Sequence, residues 1–239
     1  MATGSRIEWT EATWNPVTGC TKISHGCKNC YADRMSRRLQ AMGVPKYRDG
    51  FSVVVHPQVL ADPLQWRTPR LVFVNSMSDL FHQAVPTAFI EAVFEVMNEA
   101  PQHTFQVLTK RPSRVRLLNS RLQWAPNIWL GTSIESVHWL NRLDCLRATD
   151  AQTKFLSLEP LLGPLPGLTL EGVHWVIAGG ESGPGARPMD AEWIRNIRDA
   201  CVGNGVPFFF KQWGGVFKKR TGRTLDGRVW DQFPEQRLA

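Results

Sequence analysis

The sequence predicts an α/β fold around a parallel sheet, closed partly or wholly into a (β/α) barrel. Six apolar runs of strand length, at residues 71–74, 104–108, 127–130, 154–158, 175–178 and 206–210, punctuate the chain. Stretches with helical spacing of apolar residues lie between most of them, the pattern of repeated βαβ units. Polar and glycine residues gather where each run ends, which is where such folds keep their ligand loops. The expected architecture is a partial or complete TIM-like barrel. A doubly wound open sheet meets the same observations, and the sequence does not separate the two.

Each element has a local reason. Leu71-Val72-Phe73-Val74 is a short run suited to a buried strand. Pro86 opens a helix whose Phe89, Ile90, Val93, Phe94 and Met97 share one face. After Thr104–Leu108, Ser113 is the expected cap of a helix bearing Val115, Leu118 and Leu122. The next strand, residues 127–130, leads through Gly131–Glu135 to a helix with Trp139, Leu140, Leu143 and Leu146. Lys154–Leu158 ends at Glu159-Pro160, and Trp175–Ala178 ends at Gly179-Gly180-Glu181-Ser182-Gly183. Asp190 caps a helix carrying Trp193, Ile194 and Ile197, which Gly203 or Gly205 stops. Val206–Phe210 then runs into Lys211-Gln212-Trp213-Gly214.

A chain of 239 residues, 43% hydrophobic with ten tryptophans, supports one α/β domain over residues 1–239. Its expected parts are a cysteine loop and first helix (1–50), the repeated β/α units (51–210) and a basic C-terminal extension (211–239). No run of 18 apolar residues suggests a membrane span. The opening Met-Ala-Thr-Gly-Ser-Arg lacks an apolar leader, so a cytoplasmic protein is expected. There, clustered cysteines bind metal or do chemistry more often than they form disulfides.

The formal charge of +7 is uneven. Residues 20–48 carry seven Lys/Arg against Asp33, and residues 211–239 carry seven against three acids, so the rest of the chain is net acidic. Basic charge beside the cysteine loop and in the tail points to a polyanion, with nucleic acid as the possible partner.

Cys20, Cys27 and Cys30 lie in one short segment with Gly19 and Gly26. Thiolates are soft ligands. Three of them can hold three irons of a 4Fe–4S cluster and leave the fourth iron open. Cys145 and Cys201 fall in predicted helices and read as packing residues. A structural zinc site completed by His25 is the competing reading of the same loop; a redox CxxC pair with Cys20 incidental is the third.

The segments Ile7-Glu8-Trp9-Thr10, Thr13-Trp14-Asn15-Pro16-Val17-Thr18-Gly19-Cys20 and Cys27-Lys28-Asn29-Cys30-Tyr31-Ala32 resemble a family of phage and bacterial proteins of unknown function, described as three-Cys-motif, radical SAM-like proteins. Further matching segments are Val74–His82, Leu108–Pro112, Gly131-Thr132-Ser133, Gly179–Gly183 and Lys211–Gly214, so the resemblance spans nearly the whole chain. It implies a radical SAM-like barrel and a 4Fe–4S cluster on Cys20, Cys27 and Cys30. S-adenosylmethionine would chelate the open iron, and one electron would cleave its C–S bond to a 5′-deoxyadenosyl radical that takes hydrogen from a substrate. An electron donor would be needed, with a partner protein as a further candidate. Against the usual radical SAM pattern, the first cysteine gap here holds six residues rather than three. Asn29 stands where an aromatic residue is usual, and Gly179-Gly180-Glu181 follows a late strand rather than an early one.

The candidate cofactor-binding residues are the strand-end groups Ser76, Asp79, Ser133, Glu135, Glu159, Gly179, Gly180 and Glu181. Ionised carboxylates are acceptor-only, which suits ribose hydroxyls or a methionine ammonium; internal salt bridges are the plainer alternative. Lys110, Arg111 and Lys211 are candidates for a substrate phosphate or carboxylate, and Trp213 for stacking on a base. The expected function is an iron–sulfur enzyme of radical S-adenosylmethionine type acting on nucleic acid or a nucleotide-derived substrate; the alternative is a zinc-stabilised nucleic-acid-binding protein.

Overall fold

Every strand of the main sheet runs in the same direction. In the computed structural model, which describes residue 5 and residues 7–235, the first elements are β1 (Ala12–Trp14), β2 (Val17–Thr18), α1 (Tyr31–Ala41) and β3 (Val54–Val55). The repeated units follow: β4 (Leu71–Val74), α2 (Thr87–Glu99), β5 (Thr104–Thr109), α3 (Pro112–Leu118), β6 (Ile128–Ser133), α4 (Asn141–Arg147), β7 (Thr153–Leu158), β8 (Trp175–Gly179), α5 (Ala191–Gly203) and β9 (Phe208–Gln212). The chain then forms α6 (Lys218–Thr221) and a small hairpin of β10 (Thr224–Leu225) and β11 (Arg228–Val229).

The seven-stranded sheet has the order β1-β4-β5-β6-β7-β8-β9. Each strand pairs in parallel with the next sheet strand in the sequence. A doubly wound sheet requires a reversal of strand order, and this sheet has none. Parallel crossovers are right-handed, so a sheet that never reverses keeps its helices on one face and curls about the other. The curl is measurable across the interior. Trp9 lies 4.6 Å from the Phe73 ring of β4 and 6.3 Å from the Trp175 ring of β8. β1 and β9 are the two ends of the sheet and do not pair, so the architecture is a partial barrel.

Strand alternation divides the core. Val72, Val74, Phe105, Val107, Ile128, Leu130, Leu156, Leu158, Val176, Ala178, Phe208 and Phe210 join the cluster that the helices cover. The intervening Phe73, Trp129, Phe155, Trp175, Ile177 and Phe209 join Trp9 in a second cluster inside the curl. Side chains of successive strand residues point to opposite faces, so one run feeds both cores. The aromatic filling plugs the lower barrel and leaves the strand C-terminal ends as the open rim.

Asp190 caps α5 as expected, accepting the Glu192 N–H at 2.8 Å. Ser113 does not cap α3: the helix already begins at Pro112, with Arg111 at the cap position. β6 continues through Ser133, because Gly131, Thr132 and Ser133 pair with Phe155, Leu156 and Ser157 of β7 rather than turning away.

The C-terminal segment follows the exposed edge of the barrel. Phe210 N–H donates to the Trp230 carbonyl, Asp231 bridges Phe209, and Phe233 packs 4.9 Å from the Trp175 ring at the barrel floor. Arg195 and Arg198 of α5 both bind Asp226. The last described residues thus cover the β9 edge, an otherwise unpaired row of backbone groups. The Lys218 and Lys219 side chains and Arg237, part of the basic tail, lie outside the described residues. No described helix is long and apolar enough to cross a membrane.

Candidate functional site

The cysteine loop follows β1 and β2 and lies over the rim. Gly19 bridges Ser78 after β4, and Gly19 N–H donates to the Met77 carbonyl at 3.0 Å. Asn15 holds the same two turns together: its Oδ1 accepts from Met77 N–H at 3.0 Å and from Ser76 Oγ at 3.2 Å. Asn75 adds a third tie, its Oδ1 accepting the Val17 N–H at 3.1 Å. Ser76 and Asp79 therefore act here as parts of the loop's support. The Tyr31 hydroxyl donates to the Ser76 carbonyl.

Asp79 is buried and occupied. Thr109 Oγ1 donates to it at 2.7 Å, the Lys110 backbone N–H at 3.1 Å and the Phe81 N–H at 3.0 Å. Arg111 Nε stands 3.8 Å away, while Arg111 Nη2 donates to the Thr21 hydroxyl and carbonyl and reaches 4.0 Å from Cys20 Sγ. His82 completes this corner. The Ala84 N–H donates to its Nδ1, so Nε2 carries the proton shared with Thr21 Oγ1 at 2.8 Å. Burial and the neighbouring Arg111 lower the His82 pKa, which favours that neutral ring.

On the opposite side of the rim, Glu181 is the anchor. Arg187 donates to both of its oxygens, from Nε at 2.8 Å and Nη2 at 2.5 Å. The Asn29 amide, inside the CxxC segment, donates to Glu181 Oε2 at 2.9 Å and to the Gly185 carbonyl at 2.8 Å. Arg187 Nη1 also reaches the His25 carbonyl at 3.0 Å, and Arg34 of α1 binds the Ser182 and Pro184 carbonyls. Charge pairing with Arg187 and the Asn29 bond outweigh burial and hold the Glu181 carboxyl down at about 2, against an ordinary 4.5. A depressed carboxyl stabilises the fold above its unfolded pKa and loses that contribution as pH falls through the folded value. The cysteine loop is accordingly expected to loosen between about pH 4.5 and 2. Glu181→Gln should flatten that part of an acid titration followed by hydrogen exchange at residues 25–30; an unchanged profile would exclude Glu181 as the anchor.

The two glycine motifs of the sequence meet backbone to backbone. A Cβ on Gly180 would collide with the Trp213 carbonyl oxygen, and one on Gly214 with the Glu181 carbonyl oxygen. Gly180 N–H donates to the Gln212 carbonyl, and Gly215 N–H to the Glu181 carbonyl at 2.8 Å. Gly179 and Gly180 thus serve close strand approach. Because backbone cannot swing aside, Gly180→Ala is expected to cost about 1–3 kcal/mol in a denaturant melt; a midpoint matching the parent would contradict it. Trp213 packs at 4.9 Å from the Phe210 ring and donates from Nε1 to the Thr224 carbonyl.

Glu159 and Lys211 face each other at the upper lumen. Lys211 Nζ lies 2.8 Å from both Glu159 oxygens, and Gln212 Nε2 donates to one of them at 3.2 Å. Ser133 and Ser157 are register partners on neighbouring strands, and both are buried. Glu135 is fully buried and ion-paired to Arg142 at 2.8 Å. Its second oxygen, Oε1, has no hydrogen-bond partner among the described residues, and a Cβ on Gly26 would stand only 2.9 Å from it. The cysteine loop therefore needs a glycine where it crosses Glu135.

Cys20, Cys27 and Cys30 are unbridged and half-buried. Burial and Asp79 push the Cys20 thiol up to about 11, against the pull of Arg111. For Cys27, burial is outweighed by hydrogen bonds at Ile23 and Ser24 and by the charge of Lys110, and its pKa is lowered. Among the described residues, no three His, Cys, Asp or Glu side chains gather as a single ion requires. A cubane presents a separate iron to each thiolate, so its ligands gather less tightly than those of a single ion. Three unbridged soft donors on one glycine-containing loop fit such a cluster.

Sequence reasoning missed Asn29, Arg34, Arg142 and Arg187 as the residues that hold the loop and its neighbours. Arg142 left a legible signal: it interrupts the apolar series Trp139, Leu140, Leu143, Leu146. Of the seven basic residues in 20–48, Lys22 and Arg37 pair with Asp33, Arg48 with Asp49, and Arg34 and Lys46 bind carbonyls. Much of that charge is engaged locally.

The fold and the loop together define an open parallel α/β barrel with a three-cysteine segment over its rim. The chain belongs to the DUF5131 family, described as protein of unknown function, which matches residues 4–234. No curated protein matches the sequence. Among solved structures it is similar to a mutant of spore photoproduct lyase with bound AdoMet and dinucleoside spore photoproduct (14% identity, TM-score 0.47, 78% of this chain and 59% of that one). It is equally similar to spore photoproduct lyase complexed with the dinucleoside spore photoproduct (14%, 0.47, 77% and 59%). The chain thus spans about 59% of the length of these structures.

Proposed function

We propose that this protein is an iron–sulfur enzyme of radical S-adenosylmethionine type acting on nucleic acid or a nucleotide-derived substrate. The observation that carries the reading is the position of Cys20, Cys27 and Cys30: three unbridged thiols on one loop after the first strand, above an open barrel rim. When bound, a 4Fe–4S cluster on these thiols would supply one-electron cleavage of S-adenosylmethionine. The chain's own residues bind and orient. Asn29, Arg187 and Glu181 fix one end of the loop, and Arg111 with Thr21 fixes the other. The Glu159–Lys211 pair, Ser133 and Ser157 form a polar upper lumen over an aromatic floor that excludes water from below. Ser76, Asp79, Glu135 and Glu181 are engaged within the protein, so a cofactor contact by any of these strand-end groups would be made in addition to those bonds. An electron donor is required, and a partner protein is possible.

The test is anaerobic purification and cluster reconstitution. A brown protein with about four irons per chain is expected. After reduction it should convert S-adenosylmethionine to 5′-deoxyadenosine and methionine. A colourless protein holding zinc, or a cluster-loaded protein that binds no S-adenosylmethionine in calorimetry, would overturn the reading.

A further inference from the structure

We propose that the cleft between the turn from β5 to α3 and the turn from β6 to α4 binds a phosphate-bearing nucleotide unit, its phosphate held by Lys110 and Arg114 and its base against Trp139. The cleft is a cavity of about 360 Å³, with Phe81, Lys110, Arg111, Arg114, Trp139 and Arg142 in its wall. That volume lies within the range of small-molecule sites.

The charge in this wall is not balanced. Arg142 pairs with Glu135, and Arg111 has Asp79 at 3.8 Å. Among the described residues Arg114 donates to the carbonyls of His82 and Val85, and Asp79 attracts it from beyond hydrogen-bond range. Lys110 binds Asp79 through its backbone N–H and not its ammonium. Among the described residues neither Lys110 nor Arg114 has a carboxylate in salt-bridge range. Two cations with no carboxylate in salt-bridge range, one of them drawing on Asp79 only from further away, lie in one concave wall and match the charge of a phosphate.

A second, independent observation points the same way. Arg142 is 4% exposed, yet its Nη2 has no hydrogen-bond partner. Buried charged donors are almost always satisfied, and one lining a cavity without a partner marks a place for a ligand acceptor. Its guanidinium lies 4.0 Å from the centre of the Trp139 ring. Trp139 is half-buried and also borders a second cavity of about 290 Å³ with Ser24, His25 and His138. A ring polarised by a guanidinium and bordering two cavities is suited to stack a base, a contact that tolerates every base. Ile23 of the cysteine loop borders both cavities, so the unit would lie beside the loop rather than inside the barrel.

The existence of this site does not depend on a cluster; its relevance to substrate choice rests on the radical reading. The full-length protein is titrated with inorganic phosphate, adenosine, adenosine 5′-monophosphate and a short fluorescein-labelled single-stranded oligonucleotide, at low and moderate salt. The monophosphate or the oligonucleotide should bind at least roughly tenfold more tightly than phosphate or adenosine alone, with affinity falling as salt rises. Competition between the two probes would place a strand in the site, and monophosphate binding without oligonucleotide binding a free nucleotide. Lys110→Gln and Trp139→Leu should each weaken binding on the order of tenfold. If the Trp139 variant melts early, Lys110→Glu gives the second measurement. No binding at low salt, equal binding of phosphate and monophosphate, or unchanged affinity in the folded variants overturns the site. An iron-loaded protein that cleaves S-adenosylmethionine but binds no probe defeats this proposal alone. An iron-free protein whose probe binding is lost in the variants defeats only the radical reading.

Discussion

Replacing Cys20, Cys27 or Cys30 with alanine is expected to lower bound iron from about four per chain to near zero, and with it any cleavage of S-adenosylmethionine. Each thiolate would serve a different iron, so no neighbour can take over the lost position. Cys145→Ala and Cys201→Ala are the controls. Cys145 lies on α4 and Cys201 is buried on α5, where burial pushes its thiol up to about 12, away from the ligand form. Iron content by colorimetric assay and the visible absorption of reconstituted protein decide the matter. Retention of iron in all three loop variants would sink the cluster assignment, while loss in the control variants would show that iron uptake follows general stability.

Arg142→Met should produce the largest loss of stability among single substitutions at the rim. Glu135 is fully buried, and among the described residues Arg142 is its only salt-bridge partner. Removing one member of a buried pair leaves the other charge uncompensated, at a cost of about 3–5 kcal/mol. Arg142 also donates to the Ser133 carbonyl at 2.8 Å, so β6 loses a tie to α4 as well. In a urea melt the midpoint should fall sharply. The paired variant Arg142→Met with Glu135→Leu should recover much of the loss, since replacing both partners removes the stranded charge. A single variant as stable as the parent would show that Glu135 is satisfied by another group.

Strand existence was legible because a buried parallel strand is written locally. Leu71–Val74 was bounded to the residue, and the cap at Asp190 was readable from its side chain and the apolar spacing after it. The sequence places the end of β6 at Leu130, because Gly131-Thr132-Ser133 carries the composition of a turn, whereas the strand runs to Ser133. Only the pairing with β7 keeps those residues in a strand, and pairing is not a local property. The strand-end groups all lie at or just after the C-terminal ends of their strands, as a parallel sheet places them. Their partners were invisible: Asn29 meets Glu181 across 152 residues, and Arg34 meets Ser182 across 148.

The alternation of strands and helices, the single short segment with three cysteines and the apolar faces that must be buried can all be read from the amino-acid order. Those follow from side-chain periodicity and backbone preference over a few residues. The choice between a curled sheet and a doubly wound one came with the folded chain, because strand order is a matter of which distant runs share hydrogen bonds. The tertiary structure also decided that the C-terminal segment seals the β9 edge, with Phe233 at the barrel floor. And it decided which charges are engaged: Arg187 is spent on Glu181, while Lys110 and Arg114 line a cavity with no carboxylate in salt-bridge range among the described residues. A side chain's charge is set by its residue type, but whether that charge is neutralised depends on what the fold brings within a few ångströms of it.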